Sequence, residues 1–280
     1  MVLGTDLTGK MAVVTGAGGI LCGMFARTLA RAGAAVALLD INLEAAEETA
    51  RDIREAGGTA AAYGVDVMDK EMLESVHARV LARLGPCDIL INGAGGNQAR
   101  ANTSKEYFEM EDIEADVATF FDMEYKGVQG VLDLNFLGGF LTCQVFAKDM
   151  VGREGCNIIN ISSASAARPL TRIPVYSGAV AALSNFTQWL AVHFAKAGIR
   201  VNAIAPGFFV TRQNEGLLYE EDGKPAARTA KVLAATPMGR FGRPEELNGA
   251  LMFLLNNEAA GFITGIILPV DGGFSAYSGV

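Results

Sequence analysis

The sequence predicts a single-domain, doubly wound α/β fold: a parallel seven-stranded sheet with helices on both faces. Short apolar runs alternate with helical patterns along the whole chain. The strand-like runs are apolar throughout rather than alternating, which is typical of parallel strands buried on both faces. No Pro/Gly/Ser-rich linker or charge run divides the 280 residues. We therefore predict one domain over residues 1–280, with right-handed crossovers between strands.

The elements follow in order from these runs. The predicted strands are residues 11–15, 35–39, 60–64, 88–91, 157–161, 200–204 and 266–270. The predicted helices are residues 20–32, 43–56, 69–84, 132–150, 175–197 and 244–255. Gly33, Gly57 and Gly85 end the first three helices, and Pro174 suits the first turn of the long one. Because ligands bind such sheets beyond the carboxyl ends of the strands, the loops there should carry the chemistry.

Charge and composition exclude several classes of partner. The formal net charge is −8 and the basic residues are scattered singly, so we expect no nucleic-acid partner. The N-terminus does not resemble a signal peptide, and no uninterrupted apolar stretch approaches about 20 residues. We therefore expect a cytoplasmic protein without a membrane partner. Four cysteines without a CxxC pair and only two histidines predict no metal site.

The first strand-to-helix turn has the composition of a phosphate-binding loop. Glycines in such a turn let the backbone approach a pyrophosphate, and the helix N-terminus supplies free N–H groups. A merely tight turn is the alternative, but the position between the first strand and helix favours a dinucleotide. The predicted contacts are Gly16, Gly18, Gly19, Ile20 and Leu21.

Asp40 ends the second predicted strand, 24 residues after Gly16. A carboxylate there can accept hydrogen bonds from ribose hydroxyls and would repel a 2′-phosphate, which favours NAD over NADP. Capping of the next helix is the alternative role, although Asn42 could serve as that cap.

Further motifs follow on the expected elements. They are Thr15-Gly16, Asp66-Val67, Asn92-Gly93-Ala94-Gly95, Asn135, Ser162-Ser163, Tyr176, Pro206-Gly207 and Thr211. In this order, and over essentially the whole sequence, they resemble the classical short-chain dehydrogenase/reductase family of Rossmann-type enzymes.

The resemblance implies a role for each matching residue. Tyr176 would exchange a proton with the substrate oxygen, Ser163 would hold that oxygen, and Asn135 would order a water in the proton relay. A carbonyl that receives a hydride becomes an alkoxide, so it must be protonated as it forms. Further residues would contact the cofactor: Asp66, Asn92 and Ala94 on the adenosine side, Pro206 and Thr211 at the nicotinamide and phosphates, and also Val67, Gly95 and Tyr176 itself.

The sequence departs from the family pattern in two places. Ile20 and Cys22 fall where the family has its second and third loop glycines. Val180 stands where the family has a lysine, four residues after the tyrosine, which would lower the tyrosine pKa and hold the nicotinamide ribose. Three interpretations stay open: another cation replaces the lysine, the enzyme is weakened or altered, or only nucleotide binding remains.

A narrower likeness concerns the substrate. The runs at residues 93–97, 120–123, 205–209, 236–242 and 269–280 resemble the bacterial D-mannonate oxidoreductases of the short-chain type, also called D-fructuronate reductases. That likeness implies an NAD-dependent interconversion of D-mannonate and D-fructuronate. Another polyol or aldonate dehydrogenase, or a catalytically silent relative, is the alternative. In this family the apolar C-terminal tail commonly packs in a tetramer, so we expect a homotetramer.

A sugar acid needs many polar contacts and a cation for its carboxylate. We expect these from a polar insertion at about residues 96–127 and from a lid segment at about 207–240. The candidate substrate-binding residues are Asn97, Arg100, Arg172, Gln213 and Asn214. For any single one of them, a solvated loop position is the alternative.

Overall fold

The fold was obtained as a computed structural model, which describes residues 4–210, 218 and 226–279. The strands are Met11–Thr15 (β1), Ala35–Asp40 (β2), Ala60–Gly64 (β3), Ile89–Asn92 (β4), Cys156–Ile161 (β5), Ile199–Pro206 (β6) and Ile267–Val270 (β7). They form one parallel sheet in the order β3-β2-β1-β4-β5-β6-β7. The predicted doubly wound, seven-stranded fold is confirmed.

Helices cover both faces of this sheet. They are Ile20–Arg31 (α1), Leu43–Glu55 (α2), Lys70–Leu84 (α3), Tyr125–Leu132 (α4), Gly138–Phe146 (α5), Pro174–Phe194 (α6), Ala227–Ala234 (α7), Asn248–Leu255 (α8) and Asn257–Ala260 (α9). Local chemistry sets several ends. The Asn42 side chain accepts from the Ala45 N–H at the start of α2, and Asp69 caps α3 through the Met72 N–H.

The strands separate two apolar cores, because successive side chains point to opposite faces. Val14 belongs to the core under α1, α2 and α8, where Phe25 and Leu251 are fully buried. Val13 belongs to the core under α3 and α5, with Leu73 and Phe146. Burial on both faces explains why the strands read as continuous apolar runs.

The helix predicted at residues 132–150 starts seven residues earlier, at Tyr125. Gly127 and Gly130 weaken the helical signal there. Gly127 is needed for close packing, since a Cβ there would lie 2.8 Å from Arg100 Cβ and about as close to the Arg100 backbone, whereas Gly130 faces only the mobile end of the Gln98 side chain. The insertion itself contains three short 3₁₀ turns, at Ala99–Ala101, Met110–Ile113 and Phe120–Asp122.

This helix continues as one helical run, Tyr125–Met150, which includes a π-helical turn at Asp133–Leu137. Within the described residues it is the one run long and apolar enough, by length and composition alone, to cross a membrane. Core helices meet the same criterion, and Cys143, Val145 and Phe146 of α5 are buried against the sheet. The run is therefore weak evidence for a membrane span.

The carboxyl ends of β1 to β6 lie along one edge of the sheet. The loops at this edge carry the glycines after Thr15, Asp66, the 93–96 segment, Ser163 and Gly207. Part of the predicted lid, residues 211–217 and 219–225, lies outside the described residues.

Candidate active site

The first βα turn brings its backbone close to the ends of two neighbouring strands. Gly16 has φ +67°, and a Cβ there would lie 2.9 Å from the Gly93 carbonyl oxygen. The Gly18 N–H donates to Asp40 Oδ2 at 2.9 Å, and the other carboxylate oxygen accepts from the Asn42 N–H at 2.8 Å. Asp40 thus lies beside the glycine turn, while Asn42 caps α2.

The N-terminus of α1 is open toward this edge. Gly19 occupies the N-cap position, and no side chain caps the first turn. The first N–H groups of a helix lack partners within it and attract anions. This glycine-lined start fits a pyrophosphate, and the adjoining Asp40 carboxylate fits a ribose.

The Thr15 side chain joins β1 to the loop after β4. Its hydroxyl oxygen accepts from the N–H groups of Gly93 and Ala94, at 3.0 and 3.1 Å. Close packing also requires a glycine at position 93, because a Cβ there would collide with the Cys22 sulfur. The departure at Cys22 is thereby accommodated by a glycine in the facing loop.

Asn92 lies in a buried polar network beneath the site. Its Nδ2 donates to Asn160 Oδ1 at 2.8 Å, and Asn160 Nδ2 donates to the Thr187 hydroxyl at 2.8 Å. The Asn92 Oδ1 atom is buried without a hydrogen-bond partner. The side chain therefore joins β4, β5 and α6. It lies below the nucleotide edge, which is the part of the sheet edge formed by the glycine turn at residues 16–19 and by Asp40, and does not face open solvent.

Two further predicted cofactor contacts, Asp66 and Val67, occupy the turn after β3. Asp66 accepts from the Met68 N–H at 2.9 Å, and Val67 is buried against the position of Gly138. A turn of this kind at the edge of the sheet can contact an adenine, although the Asp66 carboxylate already serves its own loop.

Asn135 lies at the centre of the π turn. Its Nδ2 donates to the carbonyls of Gly96 and Val131, at 2.7 and 2.8 Å, and its Oδ1 accepts from the Gly96 N–H at 3.0 Å. Both amide hydrogens are therefore used by the backbone. π turns are frequent at functional sites, and this one lets Asn135 hold the loop that follows β4.

Ser163 and Tyr176 lie next to each other at the carboxyl edge. The Ser163 oxygen accepts from the N–H and the hydroxyl of Ser165, at 3.2 and 3.0 Å, which leaves its own hydrogen to donate. Burial raises the pKa of Tyr176 above its ordinary value, and a hydrogen bond from Ser163 partly offsets the rise. Tyr176 is therefore a neutral phenol near pH 7.

Val180 is buried, one helical turn beyond Tyr176. Its carbonyl oxygen accepts from the hydroxyls of Ser162 and Ser184, at 3.3 and 2.9 Å. Within the described part of the protein, no positive charge contributes to the pKa of Tyr176. The first of the three interpretations, a replacement cation, gains no support from these residues.

A cleft of about 600 Å³ lies against the segment of chain between Ser163 and Tyr176. One wall is the 168–173 segment, which joins Ser163 to Tyr176 along the sequence and is held to α6 by Ser177: the Leu170 N–H donates to the Ser177 hydroxyl at 3.2 Å. The other walls are residues 102–106, α7, and the edge-to-face ring pair Phe208 and Phe274. Four cations and one carboxylate line the cleft: Arg168, Arg172, Arg228, Lys231 and Glu106.

The predicted substrate-binding residues are only partly brought together. Arg172 lines the cleft, whereas Asn97 and Arg100 do not. Arg100 is paired with Glu124 at 3.4 Å, and Asn97 Nδ2 contacts the Asn102 side chain at 3.0 Å. Gln213 and Asn214, like the predicted cofactor contact Thr211, lie outside the described residues. Pro206 ends β6, and Gly207 after it packs against Asp271.

Sequence reasoning did not single out Arg228, Lys231 or Glu106, which line the cleft. Arg228 lies in the first turn of α7. No local motif marks these three residues, because they reach the cleft through tertiary packing. Phe274 also lines the cleft and belongs to the 269–280 run, but no site role was predicted for it.

A doubly wound sheet, an open glycine-lined helix start and a serine–tyrosine pair at the same edge define a class of dinucleotide-dependent oxidoreductases. The family model described as "Enoyl-(Acyl carrier protein) reductase", one of the short-chain dehydrogenase models, matches residues 19–275. The chain belongs to the short-chain dehydrogenase/reductase family, and it is an oxidoreductase.

Individual relatives agree with this membership. An uncharacterized oxidoreductase of Haemophilus influenzae is 54% identical over 98% of this chain and 96% of the relative. One from Bacillus subtilis is 49% identical, over 98% of each protein. A crystal structure from Haemophilus influenzae, provisionally described as a D-mannonate oxidoreductase, contains NAD. It is 54% identical, covers 98% of each protein and has a TM-score of 0.95.

Proposed function

We propose that this protein is an NAD-dependent dehydrogenase/reductase of sugar acids, and that D-mannonate and D-fructuronate are its substrate pair. One observation carries the proposal: four cations and one carboxylate line a cleft whose wall is the 168–173 segment, which connects Ser163 to Tyr176 along the sequence. In a protein of net charge −8, such a local excess of cations suits an anionic substrate. The similar, NAD-containing structure supports the same pair.

The nucleotide edge supports NAD as the cofactor. The open start of α1 would hold the pyrophosphate, and Asp40 would accept from the adenosine ribose while repelling a 2′-phosphate. Ile20, Leu21, Ala94 and Gly95 surround this edge. When bound, the nicotinamide supplies the hydride chemistry of the reaction.

The protein's own residues handle the proton. Ser163 donates a hydrogen bond to the substrate oxygen and orients it toward the Tyr176 hydroxyl. Tyr176 gives its proton to that oxygen in reduction and removes it in oxidation. Asn135 holds the Gly96 backbone, and so shapes the loop between the nucleotide edge and the insertion.

The direct test follows NADH absorbance with D-fructuronate. We expect turnover by the unaltered protein, and a loss of about a hundredfold or more in Tyr176→Phe with unchanged NADH affinity, because general acid–base groups contribute about 10²–10⁴-fold. D-Mannitol and D-sorbitol with NAD serve as neutral comparisons. Oxidation of these polyols without activity on sugar acids would refute the substrate class.

Val180, which stands where the family has a lysine, favours a second candidate within the family, an enzyme of weakened activity. Slow turnover of sugar acids with normal NADH affinity, and faster turnover in Val180→Lys, would establish it.

We also propose that the protein is cytoplasmic and assembles as a homotetramer, both in keeping with the sequence resemblance. Trp189 and Val192 on α6 are 56% and 80% exposed, and Trp189 stacks with His193 at 4.8 Å between ring centroids. Exposed aromatic surface of this kind is typical of an interface.

A further inference from the structure

The four cations that line the cleft differ in whether they already have a hydrogen-bond or ion-pair partner within the protein. Lys231 Nζ forms an ion pair with Glu106 at 2.7 Å, so the charge of Lys231 is compensated. Arg168 donates to the Tyr277 carbonyl and thereby attaches the C-terminal segment to the cleft wall. These two cations have structural partners.

Arg172 is held in place with its terminal nitrogens unused. Its Nε donates to the Thr103 carbonyl at 3.2 Å, and its own carbonyl accepts from the Thr103 N–H at 3.1 Å. Among the described residues, none forms a hydrogen bond or ion pair with its two terminal nitrogens. Those atoms form the fork that pairs with a carboxylate through two parallel hydrogen bonds.

Arg228 is placed by α7. The next residue, Thr229, is 3% exposed and anchors the first turn of the helix in the protein interior. The Arg228 side chain lines the same cleft as Arg172 and has no hydrogen bond or ion pair in the part of the protein that the structure describes. The cleft therefore contains two uncompensated guanidinium groups from different elements.

We propose that Arg172 and Arg228 together bind the carboxylate of the substrate, so that Arg228 is the residue that selects a sugar acid over a neutral polyol. This inference rests on the proposed function. The ketone carbon of D-fructuronate is separated from the carboxylate carbon by three hydroxylated carbons. A cation for the carboxylate must therefore lie away from Tyr176, and Arg228 stands on α7, an element separate from the 168–173 segment that precedes Tyr176.

The test compares two matched substrate pairs that differ only in the acid group: D-fructuronate with D-fructose, and D-mannonate with D-mannitol. For Arg228→Gln and Arg172→Gln, we expect KM for D-fructuronate to rise by about 30-fold with kcat little changed, because a charge-assisted hydrogen bond made equally in ground and transition states is lost. Constants for the neutral partners and for NADH should stay within about twofold. Arg168→Gln removes one charge from the same cleft and should raise KM by less than about threefold.

Direct titration of D-mannonate in the presence of NADH gives a readout that does not depend on turnover. Weaker D-mannonate binding in Arg228→Gln than in Arg168→Gln supports the inference. Equal binding in these two variants overturns it, even if the unaltered protein turns over D-fructuronate. Failure of the unaltered protein to bind or reduce any sugar acid would instead refute the proposed function.

Discussion

At the scale of the residue, the proposed role of Tyr176 as the acid–base group predicts the pH dependence. Its pKa lies above the ordinary value because burial disfavours the phenolate, and Ser163 only partly offsets this. Oxidation requires the deprotonated form, which becomes more abundant as pH rises toward the raised pKa. Reduction requires the protonated form, which predominates throughout the neutral range.

We therefore expect kcat/KM for D-mannonate oxidation to rise about tenfold per pH unit between about pH 7 and 9, while reduction of D-fructuronate stays nearly flat. Steady-state rates in both directions at constant ionic strength provide the check. A plateau of the oxidation rate below about pH 8 would show that Tyr176 ionises more readily than its burial predicts.

Val180→Lys tests the effect of the positive charge that the family lysine would supply at this position. An ammonium one helical turn beyond Tyr176 should lower the tyrosine pKa, since a neighbouring opposite charge shifts a pKa by about 1–3 units. We expect faster oxidation at about pH 7, by about tenfold to a hundredfold. The measurement is the full pH profile of kcat/KM.

Val180→Met is the matched control, because it lengthens the side chain without adding a charge. The pH profile of kcat/KM in Val180→Met should match that of the unaltered protein. Both variants enlarge a buried residue, so we expect both to lose some stability. Identical profiles for the lysine and methionine variants would contradict the electrostatic explanation.

At the scale of the element, the loop after β4 and the first helix are packed against each other through Gly93 and Cys22. Gly93→Ala should lower the free energy of unfolding by about 1–3 kcal/mol, because the added methyl collides with the Cys22 sulfur. Urea unfolding measures the change, and NADH titration shows whether the nucleotide edge moves with it.

Cys22→Ala removes the sulfur and should recover much of that loss in the double variant. Contacting residues show coupling energies of about 0.5–3 kcal/mol in such cycles. Strict additivity of the two substitutions would mean that the collision is relieved elsewhere.

The elements themselves were largely predictable from sequence. The strands are continuous apolar runs bounded by glycines, and Asn42 and Asp69 mark helix starts by capping chemistry that is local in sequence. The start of α4 and the π turn were not predictable. They depend on Gly127 packing against Arg100 and on Asn135 binding Gly96, which are contacts between residues far apart in the sequence.

The residues of the candidate site also fall into two groups, those that local sequence signals predict and those that only tertiary packing brings to the site. Ser163 and Tyr176 occur at a recognisable spacing, and the structure places them together. Arg228 lies on an ordinary short helix, so nothing local distinguishes it from a solvated arginine. Its relation to Arg172 arises only when α7 packs beside the 168–173 segment.

At the scale of the whole molecule, the exposed aromatic residues of α6 bear on assembly. In Trp189→Glu, we expect a smaller particle than the unaltered protein by light scattering coupled to gel filtration, because a charge is introduced into the proposed interface. Leu81→Glu on α3, where Leu81 is 44% exposed, is the matched control and should leave the mass unchanged. A tetramer that persists in Trp189→Glu would place the interface elsewhere.

The contact between Cys22 and Gly93 also constrains the evolutionary history of this protein. A side chain at position 93 and a cysteine at position 22 cannot occupy the same space, so the order of the two changes matters. A lineage that acquired the glycine first could accept the cysteine at little cost. The reverse order passes through an ancestor with a strained nucleotide edge, and selection for cofactor binding would act against that ancestor.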